Sequence, residues 1–281
     1  MSKEINLQMA VATTGQMRMM LTEHKEKIAA MMPHTSGISA EKILSSAIEV
    51  AGSNPQILQC TGLSVISSVK QAAEFGLTFS KAFGQAYLVS YGKECQLQIG
   101  YRGLLDLARR ATDGDIIMDS DVVYSTDDII VEKGTETKLI HKPNLTAPRL
   151  ETNIIGAYFL AIYKDGRKVV EWMTIGEIEG IRSRSKSELA RKAGKIKSTP
   201  WVTDFGSMCR KTVIRRGIKY LPMSAEKARL LEKAIEHDIT TDGISDEPVI
   251  SSKEKAAAIS AELSGTPTSE IMPNDMEDMK I

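Results

Sequence analysis

Between Arg182 and Lys219 the chain carries twelve Lys and Arg residues against two acids, Glu188 and Asp204. This is a local excess of +10 in a chain whose formal net charge is zero. Trp201 and Tyr220 sit among the cations. Concentrated positive charge with aromatic rings suits a polyanion, because Lys and Arg neutralise phosphates and rings stack on bases without reading them. Nucleic acid is therefore the leading candidate ligand. The rest of the charge is segregated too. Residues 221–281 hold six bases and thirteen acids, and residues 1–181 hold eighteen bases and twenty-one acids.

A second grouping would do different chemistry. Asp121, with Glu136-Thr137-Lys138 on a following strand, has the acid…Glu-x-Lys layout of metal-dependent nucleases. Carboxylates there would hold Mg²⁺ while Lys138 orients a water or stabilises the departing charge. Ordinary solvated strand-edge residues produce the same triple, so the nuclease stands as the alternative reading.

Other chemistries lack their residues. There is no GxxxxGK[ST] loop for a nucleotide, and no GxSxG, HExxH or EF-hand loop. His24, His34, His141 and His237 are scattered. Cys60, Cys95 and Cys209 lie far apart with no CxxC, which offers no zinc site and leaves one thiol over in any disulfide scheme. A reduced, cytoplasmic protein is expected. No apolar run reaches the length of a membrane span, and the N-terminus lacks a signal-peptide core. Fourteen methionines point to an adaptable core or to Met-rich contact faces.

The elements that must position the basic stretch follow from periodicity and punctuation. Apolar spacing from Leu7 to Met32 is helical with a break near Gly15, and Ser39 opens a second helix through about Val50. A third runs from Leu63 or Ser64 to Phe75, with Gly76 as its C-terminal cap. Gln85–Tyr91 and Glu94–Gly100 read as a hairpin around Gly92-Lys93, followed by a helix from Gly103 to Ala111. Ile116–Tyr124, Ile129–Glu132 and Thr137–His141 look like a meander. Ile154–Tyr163 and Arg167–Met173 form a second hairpin around Lys164-Asp165-Gly166. Thr174 and Glu177 have capping-box spacing, and Pro200 is placed to open a helix running to about Tyr220. Ser224 to about His237 is a further helix. The class is α+β: N-terminal helices, a small central sheet of antiparallel hairpins, then C-terminal basic helices. Residues 1–240 form the core and 241–281 a flexible acidic tail that includes Asp242, Asp246 and Glu247.

Two blocks resemble the RecT family of phage single-strand annealing proteins. One runs Ala72-Ala73-Glu74-Phe75-Gly76-Leu77, then Gly84 through Gly92, then Gln96 through Leu104, and ends on Leu107-Ala108-Arg109-Arg110. The other is Pro200-Trp201, then Met208 through Arg216 and Lys219-Tyr220-Leu221-Pro222. With the chain between them they span about residues 60–225. The family often has Pro where this chain has Ser80 and Ser90. The resemblance implies a protein that is not an enzyme and needs no cofactor. It implies ATP-independent binding of single-stranded DNA and pairing of complementary strands through an annealed duplex intermediate, in phage-type recombination. It also implies a homo-oligomer, as ring or helical filament. For the acidic end it favours a partner such as the host single-strand-binding protein or a cognate exonuclease. No membrane is implied.

The candidate DNA-binding residues come in three groups. Lys186, Arg191, Lys192, Lys195 and Lys197 form either a phosphate-tracking arm or a solvated linker. On the helix after Pro200, Lys211 and Arg215 share a face, with Arg216 on the adjacent stripe and Arg210 beside them. Trp201 heads an apolar face with Phe205, Met208 and Thr212, which reads as core or as a stacking platform. Tyr101 and Arg102 lie between Gly100 and Gly103, where close backbone approach suits a ligand or merely a tight turn. Arg109 and Arg110 are about 100° apart on a helix, so at most one faces the groove.

Overall fold

The computed structural model describes residues 7–243. Expectations placed on residues 1–6 and on the acidic segment from 244 onward lie outside the described residues.

The N-terminal layer is helical: α1 (Thr14–Glu23), α2 (Lys25–Ala30), α3 (Ala40–Ser53), α4 (Pro55–Leu58) and α5 (Gly62–Phe75). The helix expected over 7–32 is split and shorter. Ala12 at φ 66° turns the chain, and residues before it run beside the start of α5, with Leu63 N–H donating to Leu7 O at 2.9 Å. Ser39 caps α3 by accepting from Lys42 N–H, and Gly76 closes α5 in the left-handed conformation at φ 63°. Met17, Met20, Leu21, Ile28, Ile43, Val65 and Val69 bury their side chains between these helices.

Strands β1 (Ala86–Tyr91) and β2 (Glu94–Ile99) pair antiparallel across Gly92-Lys93, with Leu88 opposite Leu97. The outer edge of β2 is blunted by side chains. Cys95 N–H donates to Ser64 Oγ, Ser68 Oγ donates to Cys95 O, and His237 Nε2 lies 3.1 Å from Leu97 O. Helix α6 (Tyr101–Ala111) follows directly.

The expected meander does not form. Strand β3 (Ile116–Tyr124) pairs with β6 (Ile154–Tyr163), which pairs with β7 (Lys168–Thr174), giving a sheet of order β3-β6-β7. Strands β4 (Asp128–Glu132) and β5 (Lys138–Lys142) pair only with each other. The long apolar β6 buries Ala157, Phe159 and Ala161 and outcompetes the short, half-exposed β4 as partner for β3. The β4–β5 ribbon is pinned at its base by Asp127. That buried carboxylate accepts from Tyr124 N–H, Asn144 N–H and Arg149 Nη1, and meets His141 Nε2 at 3.0 Å.

The C-terminal layer is α7 (Ile175–Arg184), α8 (Lys186–Lys192), α9 (Pro200–Thr203), α10 (Phe205–Gly217) and α11 (Ala225–Asp242). The capping box of Thr174 and Glu177 is present at the start of α7. The helix expected from Pro200 to Tyr220 breaks at Asp204, whose φ of −145° and ψ of 48° are not helical. Helix α10 packs under the β3-β6-β7 sheet, and Gly217 lies so close to the Phe159 ring that a Cβ would collide with it. Helix α11 packs on α6 and β2 and runs to Asp242, past the boundary expected at 240.

Candidate nucleic-acid interface

The cations that crowd the sequence between 182 and 219 do not form one surface. Lys211 and Arg215 are one turn apart on α10, and Asp238 and Asp242 are one turn apart on α11. The two pairs face each other. Lys211 Nζ lies 2.7 Å from Asp238 Oδ1 and 2.9 Å from Asp242 Oδ2, and Arg215 Nη1 lies 3.3 Å from Asp238 Oδ2. Both cations are buried. Burial alone would lower the Lys211 pKa, but Asp238 and Asp242 hold its ammonium above the ordinary value. The expectation that Lys211 and Arg215 face a phosphate is corrected: they join two helices through the core. Of the two readings open for Trp201, core or stacking platform, its burial matches the core. It is buried, its ring 6.3 Å from that of Phe205, and it presents no face to a base.

Three further cations are held by carboxylates, two of them from other elements and one from within its own helix. Arg210 Nε donates to Asp121 on β3 at 3.1 Å. Arg216 meets Glu171 and Glu177, each at 2.8 Å. Arg191 donates twice to Glu188, at 3.0 Å each. Glu188 is itself buried, takes the Thr199 hydroxyl at 2.5 Å and lies 3.5 Å from Arg182 Nε. The hydrogen bonds from Arg191 lead the effects that pull its pKa down to about 2, against the upward push of burial. Lys186 caps the end of α11 by donating to Thr240 O at 2.7 Å.

What remains open to solvent is a different set. Every residue from 192 to 198 is exposed, with Gly194 at φ 71° turning the chain between Lys192 and Lys195. Lys192, Lys195, Lys197 and Arg109 are exposed and make no ion pair among the described residues. The pair on α6 separates as expected. Arg110 is tied to Asp106 at 3.1 Å and to Phe75 O at 2.7 Å, while Arg109 faces out. Arg102 is exposed at the start of α6, donating to Ala82 O and to the Tyr101 hydroxyl at 3.3 Å each. Gly100 and Gly103 serve the fold, because a Cβ on either would strike the carbonyl of Gly84 or Gln85. Two aromatic residues outside the predicted set stand beside Arg102: Phe83 is 51% exposed and Tyr87 48%. The signal for Tyr87 was its alternation on β1, opposite in face to the buried Leu88 and Ala86.

The nuclease triple is not assembled. Asp121 opposes Tyr158 on β6 and its Oδ1 is taken by Arg210, whereas Glu136 and Lys138 line a hollow with Tyr163. Tyr158 and Tyr163 are five residues apart, or about 16 Å along an extended strand. Among the described residues no group of three or more His, Cys, Asp and Glu could hold a metal ion.

Residues 41–251 match the RecT family, a stretch that runs from α3 to beyond α11. The chain is also 36% identical to Protein RecT of Escherichia coli (strain K12) over 227 residues, which is 78% of this chain and 79% of that protein. The chain belongs to the RecT family. A second relative, the uncharacterized protein YqaK of Bacillus subtilis (strain 168), is 26% identical over 215 residues, 74% of this chain and 68% of that one. Membership in the RecT family makes this a protein of DNA recombination and annealing. No helix among the described residues is long and apolar enough to cross a membrane.

Proposed function

We propose that this RecT-family chain binds single-stranded DNA through its exposed cations and anneals complementary strands without ATP, as an oligomer. The observation that carries the reading is the wholly exposed 192–197 run, with three lysines that no carboxylate of the described chain neutralises. Arg102 and Arg109 supply further exposed positive charge.

Annealing breaks no bond. The protein has to neutralise phosphates, hold one strand extended and leave its base edges open to a second strand. Matched stacking then drives pairing, at roughly 1.4 kcal/mol per base step. Lysines on a solvent-facing loop suit that task, since they bind phosphate as point charges and read no base. Subunits must align so that their DNA paths are continuous, in a ring or a helical filament. Exposed Met9, Met19 and Met31 on the N-terminal layer are suitable contacts between copies. The acidic C-terminal end suits a protein partner, such as the host single-strand-binding protein or a cognate exonuclease.

The test is an annealing assay with two complementary oligonucleotides, without nucleoside triphosphate and with metal chelated. Faster duplex formation than in buffer, with both strands intact, is expected. Protection of single strands without faster pairing would reduce the protein to a passive binder, and strand cleavage in a parallel reaction with magnesium supplied would revive the nuclease.

A further inference from the structure

The chain has five phenylalanines. Phe75, Phe79, Phe159 and Phe205 are buried, and Phe83 alone is 51% exposed. It stands at the tip of a turn that the fold has gone to some length to fix. Phe83 N–H and Gly84 N–H both donate to Ser80 O at 3.1 Å. Arg102 donates to Ala82 O, and Lys81 Nζ donates to Ser53 Oγ at 3.0 Å. Gly84, at φ 59°, lets the chain turn back above Tyr87 and Arg102, whose Tyr87 hydroxyl and Arg102 Cδ would lie 3.1 and 3.6 Å from a Cβ there. A single exposed apolar ring is ordinary by itself, so what surrounds it decides what it can bind.

The charge around the ring says which. Lys42 Nζ lies 5.3 Å from the centre of the Phe83 ring, and the Arg102 guanidinium 5.8 Å from that of Tyr101. Tyr87, 48% exposed on the outward face of β1, lies against the same turn. Helix α6 begins at Tyr101 with no side chain capping its first N–H groups. Aromatic faces set among cations fit a ligand with both a π-face and negative charge. A nucleotide of an unpaired strand has both, whereas an apolar protein surface would leave Lys42 and Arg102 without use.

We infer that Phe83 and Tyr87, flanked by Lys42 and Arg102, form a platform on which unpaired bases of the bound strand stack. This rests on the single-strand reading above and adds a contact with the bases to one with the phosphates. Stacking on the face of a base leaves its pairing edge open, which annealing requires.

The experiment compares a normal oligonucleotide with an abasic one of equal length and charge, on the full chain. The parent should bind the normal strand more tightly. Phe83→Ala and Tyr87→Ala should each weaken that binding by about five- to 150-fold, leave abasic binding and its salt dependence unchanged, and keep the parent's circular dichroism. Phe83→Trp should restore the preference. Equal binding of both strands by the parent, or no change in the Ala variants, would overturn the platform while leaving phosphate binding intact. A shift in oligomer size by sedimentation, without a base-dependent loss, would also overturn it and make Phe83 a contact between copies. Failure of the parent to bind either strand would instead remove the single-strand reading itself.

Discussion

Lys211 Nζ sits 2.7 Å from Asp238 Oδ1, and both side chains are closed off from solvent. Lys211 is in the stretch of the sequence richest in positive charge, and Asp238 belongs to the acidic end. Segregation along the chain is reversed in space, because α11 brings carboxylates back over the cations of α10.

Removing one partner of such a pair strands the other in the core. Lys211→Ala should therefore destabilise the fold by about 3–5 kcal/mol, read as a lower urea midpoint. A double replacement by matched apolar residues, Lys211→Met with Asp238→Leu, should recover part of that loss. An unchanged midpoint in Lys211→Ala would mean that the cluster is solvated in solution.

Glu188 links α7 and α8 to the start of α9 through Arg182, Arg191 and Thr199. Its folded pKa of about 2 lies below the ordinary 4.5, so its contribution is complete above 4.5 and is lost as pH falls toward 2. Glu188→Gln should be less stable than the parent at pH 7, and the gap should close across that acidic window. Urea titrations at several pH values check this, and a gap independent of pH would show that the carboxylate's charge is not what matters.

The β4–β5 ribbon depends on Asp127. Burial pushes that carboxyl up, but the hydrogen bonds from His141, Asn144, Tyr124 and Arg149 outweigh it and hold the pKa well below the usual range. Asp127→Ala should speed amide exchange in residues 128–142 by tenfold or more, about 1.4 kcal/mol of local stability, and leave β6 protected. Uniform loss of protection would make Asp127 part of the global core.

The end of α11 defines where the acidic segment can be cut. A chain ending at Gly243 keeps Asp242 on Lys211 and the Lys186 bond to Thr240 O, so it should retain the parent's melting temperature and bind DNA more tightly at low salt. A chain ending at Thr240 loses Asp242 and should melt several degrees lower, about 4 °C per kcal/mol at this size or less. Equal melting of the two would place the boundary at 240 after all.

Features decided within a few residues were legible in the sequence. Gly92-Lys93 and Lys164-Asp165-Gly166 mark hairpins by turn chemistry, Gly76 marks a helix end, and Thr174 with Glu177 marks a helix start. Partners distant in the chain were not. The choice of β6 over β4 as neighbour of β3 depends on which pairing buries more apolar surface. The fate of Arg210, Lys211 and Arg215 depends on carboxylates 89, 31 and 23 residues away. Spacing on a helix shows that Lys211 and Arg215 share a face, but not whether that face meets solvent or another helix. The exposure of the lysines at 192–197 was legible, because that segment lacks the apolar pattern needed to bury it.

The most direct test of the account is the salt dependence of single-strand binding in a variant with Lys192, Lys195 and Lys197 all replaced by Ala. The loop is exposed, so the variant should fold as the parent does. Its log–log salt slope should be shallower by about 2, from about 0.7 for each lost phosphate contact, and its affinity should fall for every sequence alike. A slope and affinity equal to the parent's would contradict the account and move the phosphate path away from this loop.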